Sequence, residues 1–216
     1  MKYNILATMF TLFSLLIQSQ VSCNVNGVNY KDNGGSGAKV TRDQMLAWTT
    51  GDCTKCDVTD TSLNDMSGLF ENKTSFNQDL SEWDVSNVTD MSEMFRGATS
   101  LTSVSLPETG AVTNMNAMFY GATSLTSVSL PKTGAVTNMN AMFYGASSYN
   151  QDIRSWDVDD VTNFGNMFLG ATSMISTFSS TTNWNQPTPT SAWFVAVNTC
   201  NVNGVNYKDN GGSGAK

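Results

Sequence analysis

The stretch LTSVSLPETGAVTNMNAMFYGATS, residues 101–124, is followed directly by LTSVSLPKTGAVTNMNAMFYGASS, residues 125–148. The two copies differ at only two positions, where Glu108 becomes Lys132 and a threonine becomes a serine. Tandem copies of this length are typical of proteins that stack one structural unit on the next. The sequence therefore predicts a repeat protein, in which equivalent residues of successive copies are neighbours in space.

The same unit continues on both sides of these copies. Its central phenylalanine recurs every 24 or 25 residues with similar residues around it, which defines five coils. Met115, Met118 and Phe119 have the spacing of one helical face, so we expect a short helix that buries this face. Asn114 is expected to cap the helix and Gly121 to end it. The five phenylalanines are Phe70, Phe95, Phe119, Phe143 and Phe168.

The other half of each coil is predicted to be extended. LTSVSLP reads as a short strand that ends at its proline. Two coils carry a different sequence there, FNQDLSEWDVSN from Phe76 and YNQDIRSWDVDD from Tyr149, in which Trp83 and Trp156 are expected to be buried. One coil cannot bury its own apolar side, so we predict a solenoid over residues 51–178, each coil a short strand plus a short helix.

The segments outside the repeat predict export and end covers. Residues 1–22 resemble a signal peptide, with Lys2 before an apolar run and small or polar residues after it. Cleavage is expected before Cys23 or one residue later, with a lipoprotein cut at Cys23 as the alternative. No later segment is comparably apolar, so no transmembrane segment is predicted. Residues 23–50 and 179–199 are expected to form the N-terminal and C-terminal caps.

Residues 200–216 repeat residues 23–39 letter for letter. We interpret this segment as a truncated copy of a module duplicated in tandem, and we expect it to be disordered because it has no stack of its own. In an exported protein the cysteines are candidates for disulfides, with three full pairings open. Asn72 and Asn87 lie in glycosylation sequons. The cysteines are Cys23, Cys53, Cys56 and Cys200.

The composition argues against several classes of function. The chain has no histidine, which removes the usual nucleophile pairs and the commonest metal ligand, so no catalytic, cofactor or metal residue is predicted. With 11 basic and 18 acidic residues and no basic run, the chain is not expected to bind nucleic acid. The Cys53 to Cys56 spacing has no thioredoxin-like context, so a structural role is preferred to a redox dithiol.

The repeat FNQDLSEWDVSNVTDMSEMFRGATS resembles the BspA-like surface-antigen family in the form found in mycoplasma lipoproteins. The resemblance covers residues 63–171, where FNQD, WDVS, VT-x-M, MF and GA recur in order. It implies an α/β, leucine-rich-repeat-like solenoid outside the cell that mediates adhesion or other protein interaction. It implies no catalytic residue.

Taken together, these features predict a secreted or cell-surface, non-catalytic scaffold that binds an extracellular protein or glycan. Tyr120 and Tyr144 are the candidates for surface contact, because they follow the buried Met-Phe pair and would stack on each other. Two alternatives stay open, a purely structural wall or matrix protein and a carboxylate-dependent glycosidase on the same scaffold. The carboxylates available to the glycosidase are Asp84, Asp157, Asp159 and Asp160.

Overall fold

A computed structural model describes the chain over residues 23–32, 35, 37–181, 184, 188–194, 199–202 and 205–208, the last two ranges as backbone alone. The expected signal peptide, residues 1–22, lies outside the described residues. The regular elements are short. The strands are β1 (Asn24–Val25), β2 (Val28–Asn29), β3 (Ser103–Ser105), β4 (Ser127–Ser129), β5 (Thr199–Val202) and β6 (Val205–Lys208). The helices are α1 (Arg42–Leu46), α2 (Thr172–Phe178) and α3 (Ser191–Phe194), with 3-10 turns at Thr61–Asn64 and Thr109–Ala111.

Consecutive coils lie side by side in parallel. β3 pairs with β4 so that Ser103 lies beside Ser127, a shift of one repeat. A second line of parallel contacts crosses all five coils at the residue before each Met-containing segment. The residues of this line are Asp65, Asp90, Asn114, Asn138 and Asn163, each bridged to the next.

The prediction of a short helix in each coil is wrong, because alternate backbone amides point out of the coil. Every second amide from residue 115 to residue 121 donates to a carbonyl of the following coil, at 2.7 to 2.9 Å. The amides of Met118 and Tyr120 donate to carbonyls three residues earlier. Positive φ angles at Ala117 (51°) and Gly121 (68°) produce this alternation, which an α-helix cannot contain.

The residues expected to cap these helices still make the predicted hydrogen bond. The Asn114 side chain accepts from the amide of Asn116 at 3.1 Å, and equivalent bonds form in the other coils. They close turns of the kind that Asn and Asp side chains form with the amide two residues on. Gly121 ends the segment in the left-handed region, as a stop signal requires.

The prediction of a strand in the extended half of every coil is also wrong. Among the described residues 51–178, only β3 and β4 form there. In the coils that flank them, side-chain amides take the place of a neighbouring strand. Asn77 accepts from the amide of Thr102 at 3.0 Å, and Gln151 accepts from the amide of Val128 at 2.7 Å. Neither side chain can continue a backbone ladder, so the sheet stops at two strands.

The core is a column of stacked aromatic rings. The rings of Phe95, Phe119 and Phe143 lie 5.6 and 5.5 Å apart and nearly parallel. Trp83 is buried, as expected, and donates from its indole nitrogen to the Cys53 carbonyl at 2.8 Å. Trp156 is only half-buried, and its ring lies 6.2 Å from that of Phe143.

The N-terminal cap holds a disulfide-bonded hairpin and one short helix. β1 and β2 pair across Asn26 and Gly27, whose φ angles of 53° and 84° suit a two-residue hairpin turn. Cys23 forms a disulfide with Cys56. At the other end of the stack, Trp193 of α3 is fully buried, with its ring 5.8 Å from that of Phe168 in the last coil.

Disorder is predicted for residues 200–216 and stays a prediction; the structure describes residues 199–202 and 205–208 there as two short strands. β5 and β6 form an antiparallel hairpin in which Asn201 lies opposite Asn206. The N-terminal copy has the same register, with Asn24 opposite Asn29. The shared sequence NVNGVN contains an Asn-Gly turn signal, so the hairpin needs no stack to specify it.

Replacing Tyr149 by phenylalanine is expected to stabilise the fold. Tyr149 occupies the position that Phe76 holds three coils earlier, and it is fully buried against Phe143. Its hydroxyl has no hydrogen-bond partner among the described residues. An unsatisfied buried hydroxyl costs roughly 1 kcal/mol or more, so Tyr149→Phe should raise the free energy of unfolding by about that amount. The reverse change, Phe76→Tyr, should lower it; both are measured by urea denaturation, and no gain in Tyr149→Phe would contradict the packing.

The one charge difference between the twin repeats is expected to stabilise their contact weakly. Lys132 forms the predicted ion pair with Glu108 of the preceding coil, and both side chains are more than half exposed. Lys132→Glu should lower the free energy of unfolding by about 0.5 kcal/mol at low salt, with the difference lost at high salt. Lys132→Gln removes the attraction to Glu108 without adding repulsion. Its free energy of unfolding should therefore lie between those of the wild type and Lys132→Glu. Identical denaturation midpoints for all three proteins at low salt would exclude the contact.

Candidate functional site

One column of side chains leaves the stack on the outside of the Met-containing segments. It consists of the residue that follows the core phenylalanine in each coil, and we call it the tyrosine column. Backbone amides of one coil donate to carbonyls of these residues in the next, as Gly121 does to Tyr144 at 2.7 Å, so the members are held in register. From the first coil to the fifth, the column is Glu71, Arg96, Tyr120, Tyr144 and Leu169.

The centre of the column is a stacked aromatic pair. The rings of Tyr120 and Tyr144 lie 4.5 Å apart with planes within 8° of each other, and both side chains are half-buried. The guanidinium carbon of Arg96 lies 5.3 Å from the Tyr120 ring centroid, within cation–π range. Leu169, at the far end, is one of the few large apolar side chains exposed in the described chain, at 38%.

Charges fix the orientation of the arginine. Arg96 lies 3.0 Å from the carboxylates of both Glu71 and Glu93. Because two carboxylates and one aromatic face surround it, the guanidinium is held against the column instead of extending into solvent. The column therefore presents acid, base, aromatic and aliphatic groups in a fixed order.

Sequence reasoning did not identify a second feature, an open groove of about 550 Å³ over β3 and β4. Exposed serines of the two strands line its floor, and the side chains of Gln78 and Gln151 line it on either side. The groove exists because the two coils with a strand lie between two coils that replace the strand with side-chain amides. The change in repeat sequence at Phe76 and Tyr149 was the available signal. The groove has no aromatic or charged side chain except Asp79.

The cysteines do not form a redox or metal site among the described residues. Cys23 and Cys56 are joined, so Cys53 and Cys56 are not a dithiol. Cys53 is a buried free thiol whose sulfur lies 2.9 Å from the Gln78 side-chain oxygen, and burial raises its pKa to about 12. The side chain of Cys200 lies outside the described residues. Within the described ranges, no group of three or more acidic residues or cysteines could hold a metal ion.

The four aspartates of the glycosidase alternative lie in exposed turns. Asp84 accepts from the amide of Ser86 at 3.1 Å, and Asp157 accepts from the amide of Asp159 at 3.3 Å. Asp84 and Asp157 are equivalent positions of the second and fifth coils, so two intervening coils separate them. Asp160, like Asp159, is exposed. The local roles of Asp84 and Asp157 are those of turn acceptors.

The two sequons are accessible. Asn72 and Asn87 are both exposed, and Asn72 lies directly beside Glu71 at the start of the tyrosine column. Glycosylation at either site stays a prediction.

Comparisons with known proteins place the chain in a family. A family model described as "Mycoplasma protein of unknown function, DUF285" matches twice, over residues 42–127 and 102–207. No curated protein and no solved structure matches the chain. Across the described ranges, no helix has the length and apolar character to cross a membrane. The two matches together cover most of the 216 residues. The chain therefore belongs to the DUF285 family of Mycoplasma proteins of unknown function, as a repeat protein whose coils match the family model twice.

Proposed function

We propose that the chain is a non-catalytic scaffold, secreted or held at the cell surface, that binds an extracellular protein through the tyrosine column. The architecture we propose for it is a leucine-rich-repeat-like solenoid of the BspA-like type. The parallel bridges between all five coils support this architecture. The double match to a mycoplasma family is consistent with a surface repeat protein of that type.

The observation that carries the proposal is the Tyr120–Tyr144 stack between Arg96 and an exposed leucine. Tyrosine and arginine are enriched among the residues that dominate protein–protein binding energies. Both rings are already held by stacking, so their side chains lose little freedom when a partner docks. A protein is favoured over a glycan because the column ends in an aliphatic side chain and contains an arginine engaged by two carboxylates.

Two further observations support export and the absence of catalysis. The Cys23–Cys56 disulfide is typical of proteins in oxidising compartments and agrees with the signal-like residues 1–22. Asp84 and Asp157, in the second and fifth coils, accept local backbone amides in turns, and two intervening coils separate them. A hydrolase would need an acid and a base on either side of one bond.

The test begins with the full chain on an array of extracellular proteins and glycans. Each interaction is then measured for the wild type and for a Tyr120→Ser/Tyr144→Ser variant by surface plasmon resonance. We expect the variant to bind roughly tenfold or more weakly, since hot-spot aromatic side chains contribute about 1 kcal/mol or more each. The matched control is Ser103→Ala/Ser127→Ala in the groove, which should bind like the wild type. Thermal melting confirms that the variants remain folded.

Several results would contradict this proposal. Loss of binding in the groove variant but not in the tyrosine variant would move the site to the groove. Hits confined to glycans would replace the protein partner by a carbohydrate. No hit above background would favour a structural wall or matrix protein. Glycan hydrolysis that disappears in Asp157→Asn would establish the glycosidase instead.

A further inference from the structure

The groove over β3 and β4 has a floor of hydroxyl groups. Ser103 and Ser105 of β3 lie beside Ser127 and Ser129 of β4, and all four side chains are exposed. Same-face residues of a strand are about 6.6 Å apart, and neighbouring strands lie about 4.8 Å apart, so the serines form a regular array. Within the described part of the chain, none of the four hydroxyls has a hydrogen-bond partner. Each is therefore available both to donate to a ligand and to accept from one.

The two walls of the groove come from repeats of one tripeptide, Asn-Gln-Asp. In the wall before β3, the Asn77 side-chain oxygen accepts from the amide of Thr102 at 3.0 Å. In the wall after β4, the Gln151 side-chain oxygen accepts from the amide of Val128 at 2.7 Å. Both oxygens are thus held by the backbone of the floor. The side-chain NH₂ groups of the two amides then remain as donors at fixed positions on either side of the serines.

The charge and polarity of the groove argue against several classes of ligand. The residues that line it include no lysine, arginine or aromatic side chain, and Asp79 supplies the one charge. A phosphate, a sulfate or a nucleic acid would meet a carboxylate there and no cation. Val104 and Val128 lie between the serines but are buried, at 5% and 2% exposure, so the floor offers a lipid little apolar surface. The ligand that matches this lining is uncharged and carries many hydroxyl groups.

An extended peptide fits the groove less well than a saccharide. A peptide that adds to a sheet as a strand pairs with a free strand edge. Here Asn77 and Gln151 cover the two edges and occupy an edge amide each. Saccharide hydroxyls both donate and accept, as water does, so a saccharide can replace water over the serines without leaving a polar group unpaired.

We propose that the groove binds a neutral oligosaccharide through the four serine hydroxyls of its floor and the side-chain amides of Asn77 and Gln151. The walls belong to the second and fifth coils, so their backbones are three coil spacings, about 14 Å, apart. The groove volume of about 550 Å³ lies within the range of about 300 to 1,000 Å³ that small-molecule sites occupy. This site is separate from the tyrosine column, and it stands whether or not the column binds a protein.

Asp79 gives the site a preference among saccharides. One of its carboxylate oxygens accepts from the amide of Ser81 at 2.9 Å. A carboxylate makes strong hydrogen bonds with hydroxyl donors, and it repels the carboxylates and sulfates of acidic saccharides. The groove should therefore bind neutral saccharides in preference to acidic ones of the same length.

The test titrates the full chain with neutral tetrasaccharides of glucose, galactose, mannose, xylose and N-acetylglucosamine, and with tetragalacturonate as the acidic probe, by isothermal titration calorimetry. We expect at least one neutral probe to bind and tetragalacturonate to bind more weakly. Ser103→Ala/Ser127→Ala should weaken the neutral probe roughly tenfold, because two hydrogen bonds are lost. The matched control, Ser100→Ala/Ser124→Ala, replaces a serine pair of the same two coils that does not line the groove, and it should bind like the wild type. Thermal melting checks that both variants remain folded.

A second measurement locates the bound saccharide. Changes in ¹H–¹⁵N amide shifts during the titration should concentrate at residues 77–79, 102–105, 127–129 and 151. Failure of every neutral probe to bind, tighter binding of tetragalacturonate, or equal losses in the two serine variants would overturn the proposal. Saccharide binding that is lost in Tyr120→Ser/Tyr144→Ser and kept in Ser103→Ala/Ser127→Ala would also overturn it. A protein partner that fails to bind the column leaves this result unchanged, so the two proposals fail separately.

Discussion

The fold depends on backbone amides that point alternately within a coil and towards the next coil. In the segment around Phe119, alternation requires left-handed residues at Ala117 and Gly121, and every outward amide finds a carbonyl one repeat ahead. The register between coils is therefore fixed by backbone hydrogen bonds, which do not depend on the identity of the side chains. This explains why the segment from Val112 to Ser124 has the same length in each inner coil, while the single extra residue of the longer coils lies in the extended half.

Fixed register turns each position of the repeat into a line of like residues. Thr113, Thr137 and Thr162 each donate a hydroxyl hydrogen bond to the carbonyl of the threonine one coil earlier, at 3.1 to 3.2 Å. Phenylalanines on the inside stack in the same way, and the residue after each of them must form an outer line. The Tyr120–Tyr144 stack is thus a direct consequence of the backbone register, so its geometry needs no ligand to hold it in place.

The repeat length, the core column and the tyrosine pair could be predicted from sequence, because each depends only on which residues recur at one interval. The helix could not, since an alternating left-handed turn buries Met115, Met118 and Phe119 just as one helical face would. Propensity and spacing are the same in both cases, and only the φ angle of Ala117 distinguishes them. The groove was missed for a different reason. The change in repeat sequence at Phe76 and Tyr149 marks the coils concerned, but it does not reveal that the Gln151 side chain forms the hydrogen bond that a neighbouring strand would otherwise form.

The direction of these hydrogen bonds determines which backbone groups lack a partner coil at the two ends of the stack. Around each Met-containing segment, amides point forward, so the first coil is left with free carbonyls and the last with free amides. Arg42 pairs with carbonyls of the first coil, because its guanidinium donates to the carbonyl of Asp65 at 2.9 Å and to that of Ser67.

At the other end the hydroxyl of Thr188 accepts from the amide of Asn166 at 2.9 Å, where an inner coil would use a backbone carbonyl. Each cap therefore imitates the edge of a missing coil with side chains of the opposite hydrogen-bonding type. Uncovered ends of this kind would be complementary to each other and would join chains edge to edge. An arginine at one end and a threonine hydroxyl at the other thus occupy backbone groups through which a further coil could add to the stack.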